Sequence, residues 1–163
     1  MRSPVVMAGY RNLPDQTAEA LDADGWLHTG DVARIDPDGY VRIVDRKKEL
    51  IIDAGGKNMS PANIEAALKG ASPRIAHACA IGDGRPYVTA MLVLDPEVPR
   101  DDAAIRAAVD AANAHLSRPE QVKSYTIIDG DWPPGGDELT PTMKLKRRPI
   151  VEKYADVIEA MYR

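Results

Sequence analysis

The chain contains no phenylalanine, and two tryptophans and six tyrosines bring its aromatic share to only 5%. Valine, isoleucine, leucine, alanine and methionine must therefore fill the interior, and stacking of successive nucleobases on aromatic rings is poorly supplied. A single cysteine, Cys79, excludes an internal disulfide framework and fits a reducing compartment. No run approaches the roughly 20 apolar residues that span a bilayer. Residues 1–10 carry one early arginine but no continuous apolar stretch, which argues against a secretory leader. Positive charge is in deficit as well: 21 lysines and arginines face 25 aspartates and glutamates, and the formal net charge of −4 makes a general polyanion binder a poor reading. With 44% apolar and 28% charged residues over 163 positions, the composition is that of a globular domain with an appendage, and it excludes disorder of the whole chain.

Patterning along the chain divides it into short elements. Residues 5–7 are apolar and read as a strand or the end of one. Residues 13–21 read as a short helix entered through Pro14, and residues 22–25 as a turn. Val32, Ile35, Tyr40, Val41, Ile43 and Val44 flank Asp36-Pro37-Asp38-Gly39, which predicts a β-hairpin. Five consecutive charged residues, Asp45 to Glu49, then form a linker or pivot, and residues 50–52 open a new short strand. The paired glycines of Ala54-Gly55-Gly56-Lys57-Asn58 mark a loop. Ser60-Pro61 starts a helix with Ile64, Ala67 and Leu68 on one face and Gly70 at its stop.

Residues 75–81 and 87–94 read as antiparallel strands, and Asp101 and Asp102 cap a helix on which Ile105, Val109, Ala112 and Leu116 recur. Residues 125–128 form another strand, and residues 130–142 are loose. A final amphipathic helix from Pro149 carries Ile150, Tyr154, Val157 or Ile158, and Met161. The expected class is α+β: a small domain with a short central sheet flanked by helices over residues 46–163, preceded by a β-hairpin strip over residues 1–45.

Several ordered motifs go further. Asp24-Gly25-Trp26-Leu27-His28-Thr29-Gly30-Asp31, Asp38-Gly39-Tyr40, Asp45-Arg46-Lys47-Lys48-Glu49-Leu50-Ile51, Gly55-Gly56-Lys57-Asn58 and Leu139-Thr140-Pro141-Thr142-Met143-Lys144-Leu145-Lys146-Arg147 together resemble the adenylate-forming enzymes. Among these the chain looks closest to the long-chain fatty acyl-CoA synthetases. The resemblance covers essentially the whole chain but only the last part of such an enzyme. It implies a mobile carboxy-terminal lid, residues 46–163, behind the final strip, residues 1–45, of a large amino-terminal adenylation domain that supplies the phosphate loop, the adenine site and the acyl tunnel.

The same resemblance implies a two-step reaction. A fatty carboxylate attacks the α-phosphorus of ATP to give acyl-AMP and pyrophosphate, and the CoA thiol then displaces AMP. ATP, CoA and an Mg²⁺ ion bound with ATP, mainly through the absent domain, are the implied cofactors, and the lid rotates between half-reactions. By resemblance, Asp31 would accept the ribose hydroxyls and Arg46 reach the same ribose or a phosphate; unaided, an Asp after Gly reads as a turn cap. Asp45 and Lys48 are the hinge candidates. Gly55 and Gly56 would line the path of the CoA pantetheine arm, with Lys57 a further contact; a simple strand-to-helix turn is compatible with that. Lys144 would stabilise charge developing between the attacking carboxylate and the α-phosphate.

Without that role, Lys144, Lys146, Arg147 and Arg148 form a basic rim, which also offers peripheral membrane contact to a cytoplasmic protein. His28, His77 and His115 lack metal-ligand spacing, so no protein-held metal is expected, and Cys79 reads as a buried thiol in a strand. Alone, the chain is expected to be catalytically dead, with residues 1–45 mobile or engaged in self-association. Two alternatives stay open: adenylation with a carrier-protein thiol or another carboxylic acid, and a non-catalytic binding module. No nucleic-acid partner is expected.

Overall fold

Pro14 presets the first turn of α1 (Pro14–Ala20), where its missing N–H is no loss. Thr17 braces this helix, its hydroxyl donating to the Leu13 carbonyl (2.8 Å) and accepting from the Tyr10 N–H (2.9 Å). Antiparallel strands β1 (Asp31–Ile35) and β2 (Val41–Arg46) follow. Their connection is the expected turn: the Asp36 carboxylate accepts from the N–H groups of Asp38 and Tyr40, and Gly39 takes a φ of +87°, a region that favours glycine. A bulge at Val44 breaks the pairing, since Val32 faces Asp45 while Ala33 faces Ile43.

Two expectations are corrected in this part of the chain. Residues 5–7 form no strand: Val6 donates to the Ser3 carbonyl in a local turn, and Val5 lies almost wholly in solvent. The charged run is not a free linker either, because Asp45 and Arg46 complete β2 and Lys47–Glu49 form a single 3₁₀ turn.

The computed structural model describes all 163 residues, which divide into two compact units, Met1–Lys48 and Glu49–Arg163. The second unit opens with the small antiparallel pair β3 (Ile51–Ile52) and β4 (Asn58–Met59), of which only β3 is legible in the sequence. Helix α2 (Pro61–Ala71) is capped by the Ser60 hydroxyl, which accepts from the Asn63 N–H (3.1 Å), and it runs one residue past Gly70. Then come β5 (Ile75–Ile81), β6 (Val88–Leu94), α3 (Asp102–His115) and β7 (Val122–Ile128). Asp101 caps α3 by accepting from the N–H groups of Ala103 and Ala104. Strand β6 is central, antiparallel to β5 and parallel to β7 through the α3 crossover.

The run VTAMLVL makes β6 apolar on both faces, and a strand of that kind must be covered on both sides. Val88, Ala90 and Leu92, with Ala78 and Ala80 of β5, face Ile64 and Leu68 of α2 and Ile105, Val109 and Ala112 of α3. Met91, Val93 and Cys79 face the opposite layer. One-residue register shifts near Ala76 in β5 and Lys123 in β7 invert the side-chain phase, so that Ile75 shares a layer with Ala78 and Val122 with Tyr125.

The opposite layer comprises residues 130–146, α4 (Arg147–Lys153) and α5 (Ala155–Ala160). Two further expectations change here. Helix α4 begins two residues before Pro149, and the backbone leaves helical geometry at Tyr154, so the final helix is two short ones. The loose stretch is anchored by buried Trp132 and Leu139, the Trp132 indole lying over His77 and donating to the Tyr154 hydroxyl (3.2 Å).

Burial differs sharply between the units. Ile35, Tyr40, Val41 and Ile43 of the hairpin are each more than three-fifths exposed, whereas Ile64 and Leu92 have no exposure at all. Ile64→Ala is therefore expected to lower the unfolding free energy by about 2–5 kcal/mol. Ile43→Ser should change it by no more than about 0.5 kcal/mol. Urea denaturation followed by circular dichroism checks both.

Candidate functional site

Lys144 stands on a tight loop that the backbone closes on itself. Leu139 bridges to Leu145, the Thr140 N–H donates to the Lys144 carbonyl (2.8 Å), and the Lys144 N–H donates back to the Thr140 hydroxyl (3.0 Å). Met143 takes a φ of +64°, an uncommon region for a residue with a side chain, so the loop holds a strained backbone in place of a glycine.

The structure sorts the basic run that follows. Lys146 donates to the Gly136 carbonyl (2.7 Å), and Arg148 pairs with Glu152 one helical turn on. Arg147 is half-buried, and its two terminal nitrogens donate to the two oxygens of Glu65 (2.7 and 2.8 Å). Lys144 alone keeps an exposed ammonium with no hydrogen-bond or ion-pair partner. The basic rim read from the sequence is thus corrected for Lys146 and Arg147, whose charges are tied inside the fold.

Glu65 lies on α2 and is buried to 6% exposure. Its Oε1 also accepts from the Ala80 N–H (2.9 Å) on the edge strand β5. A buried carboxylate is costly unless paired and hydrogen-bonded, and this one is both. Burial works against the Arg147 charge, but the Glu65 hydrogen bonds and charge outweigh it and hold the guanidinium protonated above its ordinary range. The Arg147 Nε is buried without a hydrogen-bond acceptor, with Glu49 Oε2 at 3.7 Å. Sequence reading missed Glu65; its signal was an acid set between Ile64 and Leu68 on the apolar side of α2, a position that demands a cationic partner.

These groups line a cleft of about 480 Å³. Ala62, Ala66, Ala78 and Leu145 supply apolar wall, and Lys69, His77, Lys144 and Arg147 supply polar groups. Burial lowers the His77 pKa, with Asp131 opposing and Lys69 assisting, so the ring is held toward its neutral form. Burial pushes the Cys79 thiol up to about 12, with Glu65 adding and Arg147 opposing, which leaves the thiol unreactive.

Gly55, Gly56 and Lys57 are exposed in the β3–β4 loop, outside that cleft. Asp53 organises the loop, its Oδ1 accepting from the N–H groups of Gly55 and Lys57 (both 2.9 Å). Gly56 needs its φ of +77°, and a Cβ there would meet nothing within 4 Å; at Gly55 a Cβ would approach Asp53 Oδ1 to 3.2 Å. The neighbouring turn steadies the loop through Ala54 N–H to the Arg85 carbonyl, Gly84 N–H to the Ile52 carbonyl and Ile52 N–H to Asp83. Arg85 in turn pairs with Glu159 and lies over the Tyr162 ring. Sequence reading places Asp83 in the turn between residues 75–81 and 87–94 but misses Asp53, although Asp-x-Gly spacing is its signal.

In the first unit, Asp31 and Arg46 are cross-strand neighbours, joined by an ion pair of 2.9 Å from Nε to Oδ1. Arg46 also donates to the Thr29 carbonyl (3.2 Å). The hairpin thus fixes a carboxylate and a guanidinium side by side. Asp45 is the buried residue of β2, its Oδ1 accepting from the Arg46 N–H (2.7 Å), while Lys48 is exposed in the 3₁₀ turn. His28 bonds Asp22 (3.0 Å), a contact that holds its turn. No three His, Cys, Asp or Glu side chains are grouped to hold a metal ion, and no helix is long and apolar enough to cross a membrane.

Residues 48–163 match the model of the AMP-binding enzyme C-terminal domain. Among curated relatives, the Mycobacterium tuberculosis protein fadD11, by name a fatty-acid–CoA ligase, is 53% identical over 99% of the chain and 32% of its own length. The long-chain-fatty-acid–CoA ligase ACSBG1 of Mus musculus is 38% identical over 96% of the chain and 27% of its own length. The chain thus spans between 27% and 32% of the length of these relatives. The fadD11 alignment runs over 182 positions against 163 residues, so the relative carries extra residues within the shared span. Among solved structures, the A-PCP didomain of a carboxylic acid reductase from Segniliparus rugosus, in complex with AMP, superposes with a TM-score of 0.82 at 27% identity, over 99% of the chain and 24% of that protein.

A separate group steadies the stretch leading into the lysine loop. Buried Glu138 accepts from Lys153 (2.6 Å) and from the Tyr154 hydroxyl (3.1 Å). Burial pushes its carboxyl up, but these hydrogen bonds and the Lys153 charge prevail and hold it below the usual glutamate range. A carboxyl whose folded pKa is depressed contributes stability above its unfolded pKa and loses it as pH falls. Glu138→Gln is therefore expected to cost about 1–3 kcal/mol at neutral pH. The difference from the unsubstituted chain should shrink as pH drops through the glutamate range, as denaturation midpoints at several pH values would show.

Proposed function

Since the chain belongs to the family of AMP-binding enzyme C-terminal domains, we propose that it is the carboxy-terminal portion of an AMP-forming long-chain fatty acid–CoA ligase. Residues 46–163 serve as its lid, and residues 1–45 belong with the amino-terminal adenylation domain. The observation that carries this reading is the isolation of Lys144. In a run of four basic residues, three are tied to oxygen partners and one ammonium stands free on a locked loop.

In the first half-reaction a fatty carboxylate oxygen attacks the α-phosphorus of ATP and pyrophosphate leaves. Negative charge gathers between the attacking oxygen and the phosphoryl oxygens, and a preorganised ammonium lowers the energy of that charge. Lys144 fills the role because its stem is long, its charge is uncompensated and its loop is fixed. Asp31 accepts hydrogen bonds from the ribose hydroxyls, and Arg46, which holds Asp31, binds the ribose or a phosphate. Mg²⁺ bound with ATP would offset phosphate charge and would be held mainly by the amino-terminal domain rather than by residues of this chain. In the second half-reaction the CoA thiol attacks the acyl carbonyl and AMP leaves. The Gly55–Gly56 backbone then borders the pantetheine path, and Lys57 contacts CoA. The pivot lies between Asp45 and Lys48, where β2 ends in a 3₁₀ turn.

The exposed Ile35, Tyr40, Val41 and Ile43 of the hairpin suit packing against the amino-terminal domain or, in its absence, self-association with a second copy. Peripheral membrane contact has weaker support, because the rim contributes less free charge than its sequence promises. A second reading replaces CoA with a carrier-protein thiol, and the likeness to a carboxylic acid reductase A-PCP didomain favours it. The higher identity to fatty-acid–CoA ligases favours the first.

In a complete ligase carrying this segment, Lys144→Ala should slow acyl-adenylate formation by about two to three orders of magnitude. Thioester formation from preformed acyl-adenylate should stay within a few-fold, and full-speed adenylation by the variant would refute the assignment. The chain by itself should show no ATP–pyrophosphate exchange, and measurable exchange would overturn its reading as a partial site.

A further inference from the structure

We infer that Glu65 and Arg147 are positioning residues for Lys144. Their ion pair sets where the lysine loop stands on the domain, and hence where the ammonium meets the reacting carboxylate and phosphate. The inference rests on the role proposed above for Lys144.

Lys144 has no side-chain partner, so its place is set by backbone alone. The bonds that shape this backbone are local: Leu139 to Leu145, Thr140 to Lys144, Glu138 to Lys146 and Gly136 to Lys146. They fix the shape of residues 136–146, and Glu138 ties that shape to α4 and its end through Lys153 and the Tyr154 hydroxyl, but none of these bonds reaches the α2 layer. Apolar packing of Leu139, Leu145 and Ile150 holds the stretch against the sheet, but apolar packing is non-directional. Arg147, three residues beyond the lysine, makes the directional side-chain link from this stretch to distant chain, 82 residues away at Glu65.

The link is defined at both ends. The guanidinium fork meets both carboxylate oxygens, a geometry that fixes orientation as well as distance. The carboxylate is fixed by the β5 backbone through Ala80 N–H. Displacement of a catalytic group by about 1 Å is enough to cost up to a hundredfold in rate. The pair therefore acts on the half-reaction that uses Lys144 and not on the other.

The test uses two near-isosteric variants. Glu65→Gln keeps an oxygen for Ala80 and loses the charge, and Arg147→Lys keeps the charge and loses the fork. In the chain as it stands, hydrogen exchange should quicken by about tenfold or more at residues 139–146 while β6 keeps its protection. In a ligase made by joining the chain to the preceding two thirds of fadD11, each variant should lower the kcat of acyl-adenylate formation by about 10- to 100-fold. The KM for ATP should move little, and thioester formation from preformed acyl-adenylate should be retained. Equal loss in both half-reactions, or exchange quickened equally in loop and β6, would mean a structural role only and overturn the inference.

Lys144→Ala in the same ligase separates the two claims. If it leaves adenylation intact, the reading of Lys144 fails; if it abolishes adenylation while the pair variants do not, only the positioning role fails. Should either single variant not fold, Glu65→Leu with Arg147→Met removes both charges and strands neither, and the same comparison applies.

Discussion

A single carboxylate at the edge of a three-stranded sheet joins what the rest of the second unit keeps apart. Glu65 belongs to the α2–α3 layer, accepts from a backbone N–H of the edge strand and grips the arginine that opens α4 in the opposite layer. Each contact needs the others. Without Arg147 the carboxylate would be a buried, unpaired charge; without Ala80 it would lose its tie to the edge strand; without Glu65 the half-buried guanidinium would lose its principal counter-charge. Such a pair adds little net stability compared with an apolar replacement, because desolvation consumes most of the Coulomb attraction. Its value lies in direction, since it specifies one placement of the lysine-bearing loop among those that apolar packing and the Glu138 bonds would tolerate.

The glycine loop and the lysine loop follow one design from different ends of the domain. Each is a short hydrogen-bonded turn, stiffened by a side chain accepting from nearby N–H groups, Asp53 in one and Thr140 in the other. Each is moored to chain far away in sequence, through the Asp83–Arg85 turn in one and through Arg147 in the other. Exposed loops held this way keep their functional groups in solvent without surrendering position. The hairpin unit shows the opposite balance: its hydrogen bonds are formed but its apolar residues remain uncovered, as suits the proposed packing of this strip against a larger domain.

Local signals were legible and distant ones were not. The Asp36–Gly39 turn, the Ser60-Pro61 helix start and the doubly apolar β6 could be read because neighbouring residues alone determine them. Residues 5–7 looked like a strand because apolar runs do, yet a strand needs a partner that the sequence does not announce. Asp45 and Arg46 looked like linker because five charges in a row usually are; pairing with Val32 and Asp31 overrides that. Trp132 was hidden in a proline- and glycine-rich stretch, and only its contacts with His77 and Tyr154 show why it is core. The candidate site divides likewise. Lys144 and the glycines were carried by motif, whereas Glu65 became visible only when an arginine 82 residues away arrived beside it.

The most direct measurement is a double-mutant cycle on the unfolding free energy of the chain, combining Glu65→Gln with Arg147→Met. If the two side chains act as one clasp, their effects are strongly non-additive, with a coupling energy of about 1–3 kcal/mol. A coupling indistinguishable from zero would mean that carboxylate and guanidinium do not depend on each other, and the account of how the lysine loop is held would be contradicted.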